Sequence, residues 1–535
     1  MEEAPLKQSS QKSTFFGGAA TLAIGIIVVK LIGALYKIPL GRILGDVGFG
    51  HFNNAYSVFN LLLMVSTAGL PVAMSKTISE VNALGKHNQV NRVFRVCLVT
   101  FVILGAVTTA IMFFGAQSLA NLQGDSMAAP AIRAMSLTAF FLCTVSAYRG
   151  FAQGHSDMVP TAVSQVIEAV AKLVVGLVLA WYLLRVGFGS EIAAAGAIGG
   201  VAAGSFVSLV YLVLRHHQRN KPSRQLSNDR PHSAGSILKT LLVIAVPITL
   251  SSSVVPITTY IDTIQVQNLL QSALGYSEEM AVSLYGSYQK ALTIYNLPSS
   301  FMVSLTACIV PAVSAALTTK DKLGAGKVAE SALRVGAMLA IPAGVGLAVL
   351  SGPVIQLLYP ETNQEVATAC MFILGIASIF VCVMLLCNAI LQANGRASLP
   401  IWFIAIGSAL KLIVNFCLVQ QSAVGIKGAP IGTLVCFSLV AVMELAAIKK
   451  VTPHPPKYSR VFVKPLAASL VMGGAVWAVY GLLADSLGNT LSVAAAILVG
   501  VVVYGALVIL LRAVSKDDLS LMPKGDKIAK LLRIK

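Results

Sequence analysis

The sequence predicts an all-α polytopic membrane protein with about fourteen transmembrane helices. Three observations lead to it. Of the 535 residues, 56% are hydrophobic and only 11% are charged, against roughly 25% charged in soluble domains. Apolar runs of the roughly 20 residues needed to cross a bilayer recur along the whole chain. Lysine and arginine crowd into alternate gaps between those runs, the distribution that orients helical membrane proteins. A soluble enzyme of this length would need more polar surface, and a disordered chain would need low hydrophobicity. Both classes are excluded.

In chain order the runs cover residues 14–37, 48–72, 93–118, 130–150, 160–184, 191–214, 237–270, 280–305, 330–350, 366–391, 400–420, 427–448, 461–483 and 490–513. The first has no small-residue cleavage site and is long enough to span, so it reads as a helix rather than a removable signal. The seventh is too long for one straight crossing and contains Pro247 and Pro256. A kink or a break is expected there.

An even number of spans puts both termini on one side. If that side is the cytoplasm, 30 of the 39 lysines and arginines lie inside and 5 at outer ends. The other four, Lys30, Lys172, Lys290 and Lys411, lie within spans. The bias accounts for the net charge of +18 without a nucleic-acid partner. The eight cysteines all fall in apolar runs without a Cys-x-x-Cys pair, and read as small buried hydrophobes.

Two polar, basic stretches act as linkers, and the chain divides into six spans, six spans and an extra pair. The expected domains are residues 1–214 and 237–448 for the two six-helix lobes and 461–513 for the pair. Cytoplasmic linkers at 215–236 and 449–460 and a basic cytoplasmic tail at 514–535 complete the layout. The lobes read as a repeat. Gly50, Asn60 and Pro71 recur as Gly286, Asn296 and Pro311, and Gln153, Pro160 and Lys172 recur as Gln392, Pro400 and Lys411. Six spans per unit make the repeat parallel, about an axis along the membrane normal, with substrate expected at the interface between halves.

Nothing in the sequence points to catalysis. It has no Gly-rich phosphate loop, no metal-ligand spacing and no nucleophile elbow, and no cofactor is expected. The informative residues are ionisable groups at membrane depth, where a charge costs about 2.5–3.5 kcal/mol and normally faces the protein interior or a watery path. The set is Lys30, Glu168, Lys172, Asp262, Lys290 and Lys411. Lys37 falls seven residues from Lys30, on the same helix face. Lys30, Lys290, Asn53 and Asn54 are expected to line one cavity of positive bias, suited to phosphate or diphosphate. Other readings compete. Glu168 and Lys172, spaced i,i+4, can neutralise each other, and Lys37 and Arg42 can snorkel to the interface. Asp262 can pair with a lysine or hold a coupling cation.

The run from Arg149 through Gln153 and Pro160 to Glu168 resembles the motif leading into the fifth span of bacterial oligosaccharide-lipid flippases. The runs Gly41–Gly50 and Gly69–Lys76 fit the same pattern. The likeness is to the multidrug/oligosaccharidyl-lipid/polysaccharide flippase superfamily. Within it the chain looks most like the polysaccharide-biosynthesis branch, with its YtgP- and MurJ-like lipid II flippases and the sporulation protein SpoVB.

The resemblance implies two lobes in a V around a cationic cavity, alternating access, and a groove on the last two helices for a polyprenyl tail. It also implies a monomer in the bacterial plasma membrane that flips a lipid-linked oligosaccharide diphosphate, lipid II first, from the inner to the outer leaflet. Another wall, capsular or spore intermediate is the nearest rival, and a cation-coupled multidrug exporter the next. Lys30 and Lys290 stand where that branch carries cavity cations. As lysines they lack the bidentate fork of arginine.

Overall fold

The structure, a computed structural model, describes residues 5–219, 229–318, 322–452 and 455–511. Among them every regular element is helical. The α-helices are α1 (Pro5–Thr67), α2 (Leu70–Ala83), α3 (His87–Phe114), α4 (Ala116–Leu122, short), α5 (Ala129–Gly154), α6 (Val159–Arg185) and α7 (Ser190–Arg219). They continue as α8 (Ala234–Ser272), α9 (Glu278–Thr318), α10 (Lys322–Val349), α11 (Ser351–Leu358, short), α12 (Gln364–Ala393), α13 (Ser398–Val419), α14 (Gly428–Val451) and α15 (Tyr458–Leu510).

Eleven helical stretches of the described residues are long and apolar enough to cross a membrane. Two of them hold a glycine outside helical geometry, Gly45 (φ 67°, ψ −166°) in α1 and Gly488 (φ 72°, ψ 168°) in α15. That backbone region is essentially open only to glycine, so each glycine joins two separate arms. Dividing α1 and α15 there, and adding the 41-residue α9, brings the eleven to fourteen. The polytopic fold class is as the sequence predicts.

The expected break in the seventh span does not occur. α8 runs unbroken through Pro247 and Pro256. Serine and threonine hydroxyls bond back along the helix: Ser251 Oγ donates to the Pro247 carbonyl at 2.8 Å and Ser253 Oγ to that of Thr249 at 2.7 Å. Such back-bonding often bends a helix without breaking it, so the unbroken run remains compatible with a kink. The glycine breaks in α1 and α15 fall in gaps that the sequence leaves between apolar runs.

The repeat is written in the helix boundaries. α3 and α10, α4 and α11, and α5 and α12 each begin 235 residues apart, and α6 and α13 begin 239 apart. The change comes from four extra residues in α12, and the turns before α6 and α13 are both four residues long.

The chain forms two units: Met1–Asn268 with Ser277–Gly286, and Leu269–Tyr276 with Ser287–Lys535. Most of the seventh span thus lies in the first unit, whereas the sequence reading groups it with the second lobe. The cause is packing: Ile237, Leu241 and Ala245 of α8 share a buried cluster with Leu70, Met74 and Ile78 of α2. Gly69 permits this approach, because a Cβ there would collide with the Ala245 carbonyl. In the second unit Met472, Val476 and Ala496 of α15 pack on Val345 and Val349 of α10 and on Leu350 just after it. Tyr504 donates to the Met338 carbonyl at 2.9 Å, and Asn489 to that of Pro353 at 3.1 Å.

The linkers are tethered where they are described. Asp229 accepts the backbone N–H groups of Asn88 (3.2 Å) and Gln89 (2.8 Å) at the start of α3, a favourable place for a carboxylate. Glu330 of α10 accepts the N–H of Lys457 at 3.1 Å. The middle of the 215–236 linker and the 514–535 tail lie outside the described residues, as do two positions of the 449–460 linker. Cys417 departs from the expectation of buried thiols and is exposed on α13, whereas Cys97, Cys143, Cys370, Cys382, Cys387 and Cys436 are buried. It lies on a face flanked by the exposed Ile413 and Phe416. The side chain of Cys308 lies outside the described residues.

Candidate functional site

Three lysines gather in the first unit, between the first arm of α1 and α6. Lys30 is exposed and Lys37 half-buried on α1, seven residues apart. Lys172 stands at the midpoint of α6, thirteen residues from each end. Lys37 lies within electrostatic range of both Lys30 and Lys172, and Lys172 within range of Lys30 and Glu168. Among the described residues none of the three lysines forms an ion pair. Like charges held together at this depth repel one another and are costly, so the cluster is suited to an anion.

Tyr36 supports the cluster. It is buried, its hydroxyl donates to the Ala197 carbonyl at 3.1 Å, and Lys172 Nζ lies 5.3 Å from the ring centre. The aromatic face attracts the ammonium without neutralising it. Gly176, one turn beyond Lys172, makes this possible, because a Cβ there would come within 3.0 Å of the tyrosine ring and hydroxyl.

Glu168 does not have Lys172 as its ion-pair partner. It pairs with Arg149 of α5, Nη2 to Oε2 at 3.0 Å. The guanidinium also reaches Ser164 Oγ at 3.0 Å through Nε and Ser208 Oγ at 3.4 Å. Arg149, inside α5, thus takes the ion pair of the acid, and Lys172 has Glu168 only within electrostatic range. Its place at the head of the Arg149–Glu168 motif was the available signal.

Asn53 and Asn54 face other partners. Asn53 is buried and donates to its own helix at the Phe49 carbonyl, 2.7 Å. Asn54 is fully buried in a network that joins the second arm of α1 to α8 and to the segment after α4. Its Nδ2 donates to Asp125 Oδ2 at 2.6 Å, and it exchanges bonds with Gln267 at 3.1 and 2.8 Å. His51 Nδ1 is 2.8 Å from the Asp125 carboxylate, and Gln123 donates to Ser57 Oγ at 2.6 Å. Asp262, also on α8, is buried and engaged, and Arg42 is exposed and engaged.

In the second unit Lys290 is 1% exposed, with Nζ 5.3 Å from the centre of the Tyr359 ring. Lys290 stands 236 residues after Asn54, the offset of the Gly50–Gly286 match. Tyr359 is the residue just after α11. Lys411 is half-buried on α13 and has contacts of its own. A further acid is absent from the sequence-derived set. Glu444 of α14 is fully buried. No group of three or more metal-ligating side chains occurs among the described residues.

Residues 16–317 match the polysaccharide biosynthesis protein family. Stage V sporulation protein B of Bacillus subtilis (strain 168) is 26% identical over 517 residues, 96% of this chain and 98% of that protein. Lipid II flippase MurJ of the same organism is 25% identical over 486 residues, 87% of this chain and 88% of that protein. A solved structure of lipid II flippase MurJ in an inward closed conformation superposes with a TM-score of 0.70 at 15% identity, over 92% of this chain and 98% of that one. The fold is therefore that of MurJ-like transporters, as the motif resemblance implies.

Proposed function

From the premise that the chain belongs to the polysaccharide biosynthesis protein family, we propose that this multi-pass membrane protein flips an undecaprenyl-diphosphate-linked sugar intermediate, lipid II foremost. The direction is from the inner to the outer leaflet, by alternating access. The observation that carries this reading is the cluster of Lys30, Lys37 and Lys172 at membrane depth, none of them ion-paired among the described residues. A diphosphate would relieve their mutual repulsion and accept hydrogen bonds from their ammonium groups. Cargo of positive charge, as for a multidrug exporter of cations, would meet repulsion at the same place. The paired helices of α15, packed on α10, would carry the lipid tail. Reactions at the diphosphate are not required of the protein, which acts as a transporter and not as an enzyme.

The similarity to a lipid II flippase supports lipid II as cargo. The longer match to a sporulation protein supports a spore-polymer intermediate as the second reading. Full-length protein in proteoliposomes, given fluorescent lipid II in the inner leaflet, should raise the fraction accessible to an external reagent. A spore- or capsule-type lipid diphosphate in parallel vesicles separates the two readings. No acceleration with either lipid would overturn the function.

A further inference from the structure

Glu444 lies on the inner face of α14, between Ala441 one turn before and Ile448 one turn after, and all three are buried. Those two pack in a cluster with Leu386, Cys387 and Ile390 of α12 and Val461 of α15. Among the described residues neither carboxyl oxygen has a hydrogen-bond partner and no basic side chain pairs with it. An ionised carboxylate in such a place would forfeit its hydration and receive nothing in exchange, so the neutral acid is the form that this setting admits.

The neighbouring groups leave that assignment unopposed. From α12 the facing titratable group is Cys387, buried and in electrostatic contact with Glu444. From α15 it is Tyr458, whose hydroxyl is committed to the Leu445 carbonyl at 2.6 Å. Lys411 on α13 and Lys464 on α15 have contacts of their own, and Lys449 and Lys450 on α14 are exposed. Glu444 is seven residues from the end of α14 at Val451, roughly 10 Å along the axis at 1.5 Å per residue. That depth is beyond bulk water but within reach of a modest opening of the helix end.

We propose that Glu444 is a proton-binding site whose loading and release accompany transport. Resting on the flippase reading above, the proposal names a proton as the ion that moves with the lipid diphosphate. In the conformation described, the carboxyl O–H bond is intact. When the α12–α14 contact opens to water, that bond breaks, the proton passes to water and a hydrated carboxylate remains. Reclosure requires one proton to be taken back. No oxidant, metal or nucleotide enters the balance.

Two measurements on the full-length protein test this. Infrared difference spectra at neutral pH should show a protonated-carboxyl C=O band that disappears in Glu444→Gln, a neutral isostere that preserves shape. An unchanged band in Glu444→Gln would mean that Glu444 is ionised, and would overturn the proposal. In proteoliposomes carrying a fluorescent lipid diphosphate, an imposed pH gradient should change the wild-type flipping rate severalfold and leave the equally stable Glu444→Gln unresponsive. Equal responses in both would also overturn it. If the wild type moves no lipid diphosphate at all, the flippase reading fails, while the infrared result still decides whether Glu444 holds a proton.

Discussion

Arg149 reaches across the turn between α5 and α6 to place Nη2 3.0 Å from Glu168 Oε2. Both side chains are largely shielded, 15% and 21% exposed. Removing either leaves an uncompensated charge in a poorly hydrated place. Arg149→Gln or Glu168→Gln should cost about 1–3 kcal/mol, between the exposed and buried limits for ion pairs. A lower melting temperature in detergent checks this. The charge-reversed double variant should recover part of the loss, because the pair is then restored with opposite polarity.

The Asn54 network makes a second prediction. Asn54→Ala would strip one donor from Asp125 and both bonds from Gln267, all within a buried site. Leaving buried polar groups unpaired costs about 1–3 kcal/mol each. Asn54→Ala should therefore destabilise more than Asn53→Ala, which loses only one bond to its own helix. Parallel thermal melts of the two variants give the ranking, and equal melting temperatures would count against the network.

The spans were legible because each needs roughly 20 apolar residues and the solvent admits no other backbone solution than helix or closed barrel. The repeat was legible through Gly50, Pro160 and Lys172 and their counterparts. The two arm junctions were legible as the gaps 38–47 and 484–489 between apolar runs, but which residue turns the chain in each, Gly45 or Gly488, shows only in its dihedrals. The lysines stood out as charges at membrane depth, but their partners did not. Local spacing suggested Glu168 with Lys172, whereas helix pairing brought Arg149 to the acid. Asn54 and Gln267 are 213 residues apart, a separation at which no periodicity speaks. Glu444 was readable as the one acid of α14, yet a reading weighted toward cations passes over it.

The junction glycines should resist substitution for backbone reasons alone. A Cβ on Gly45 or Gly488 would meet nothing within 4 Å. The cost of Gly45→Ala or Gly488→Ala is thus the strain of a positive φ in a region closed to other residues, about 1–3 kcal/mol. Gly235→Ala, in similarly open space at a helix start with no positive φ, should be near neutral. Thermal melts of the three variants test the contrast, and a full-sized loss in Gly235→Ala would show that backbone geometry is not the cause.

Orientation can be tested at two described positions. The stretch ending at Ser233 belongs to the basic linker, and Ser277 belongs to the turn between α8 and α9. The positive-inside bias places the first in the cytoplasm and the second outside. In a cysteine-free background, Ser277→Cys should react with an impermeant maleimide in intact cells. Ser233→Cys should react only after permeabilisation. The reverse pattern would invert the topology and, with it, the assigned direction of flipping.

The lysine cluster makes the sharpest functional prediction. Lys172 is held by Tyr36 at 5.3 Å, so its charge is fixed in place while Lys30 remains exposed. If the cluster binds a diphosphate, Lys172→Gln and Lys30→Gln should each slow flipping by about tenfold or more, since a lost charged contact worth about 1.4 kcal/mol changes binding tenfold. Stability should move the other way. Removing one of three mutually repelling ammonium groups relieves strain, so these variants should melt no lower than wild type. Lys→Arg should keep part of the activity, because the charge persists while its geometry changes. Tyr36→Leu should remove the aromatic support and slow flipping less than Lys172→Gln. The combination of lower flipping with undiminished stability separates a binding role from a packing role. Lysine variants that flip normally, or that lose flipping only because they unfold, would remove the cluster from the site.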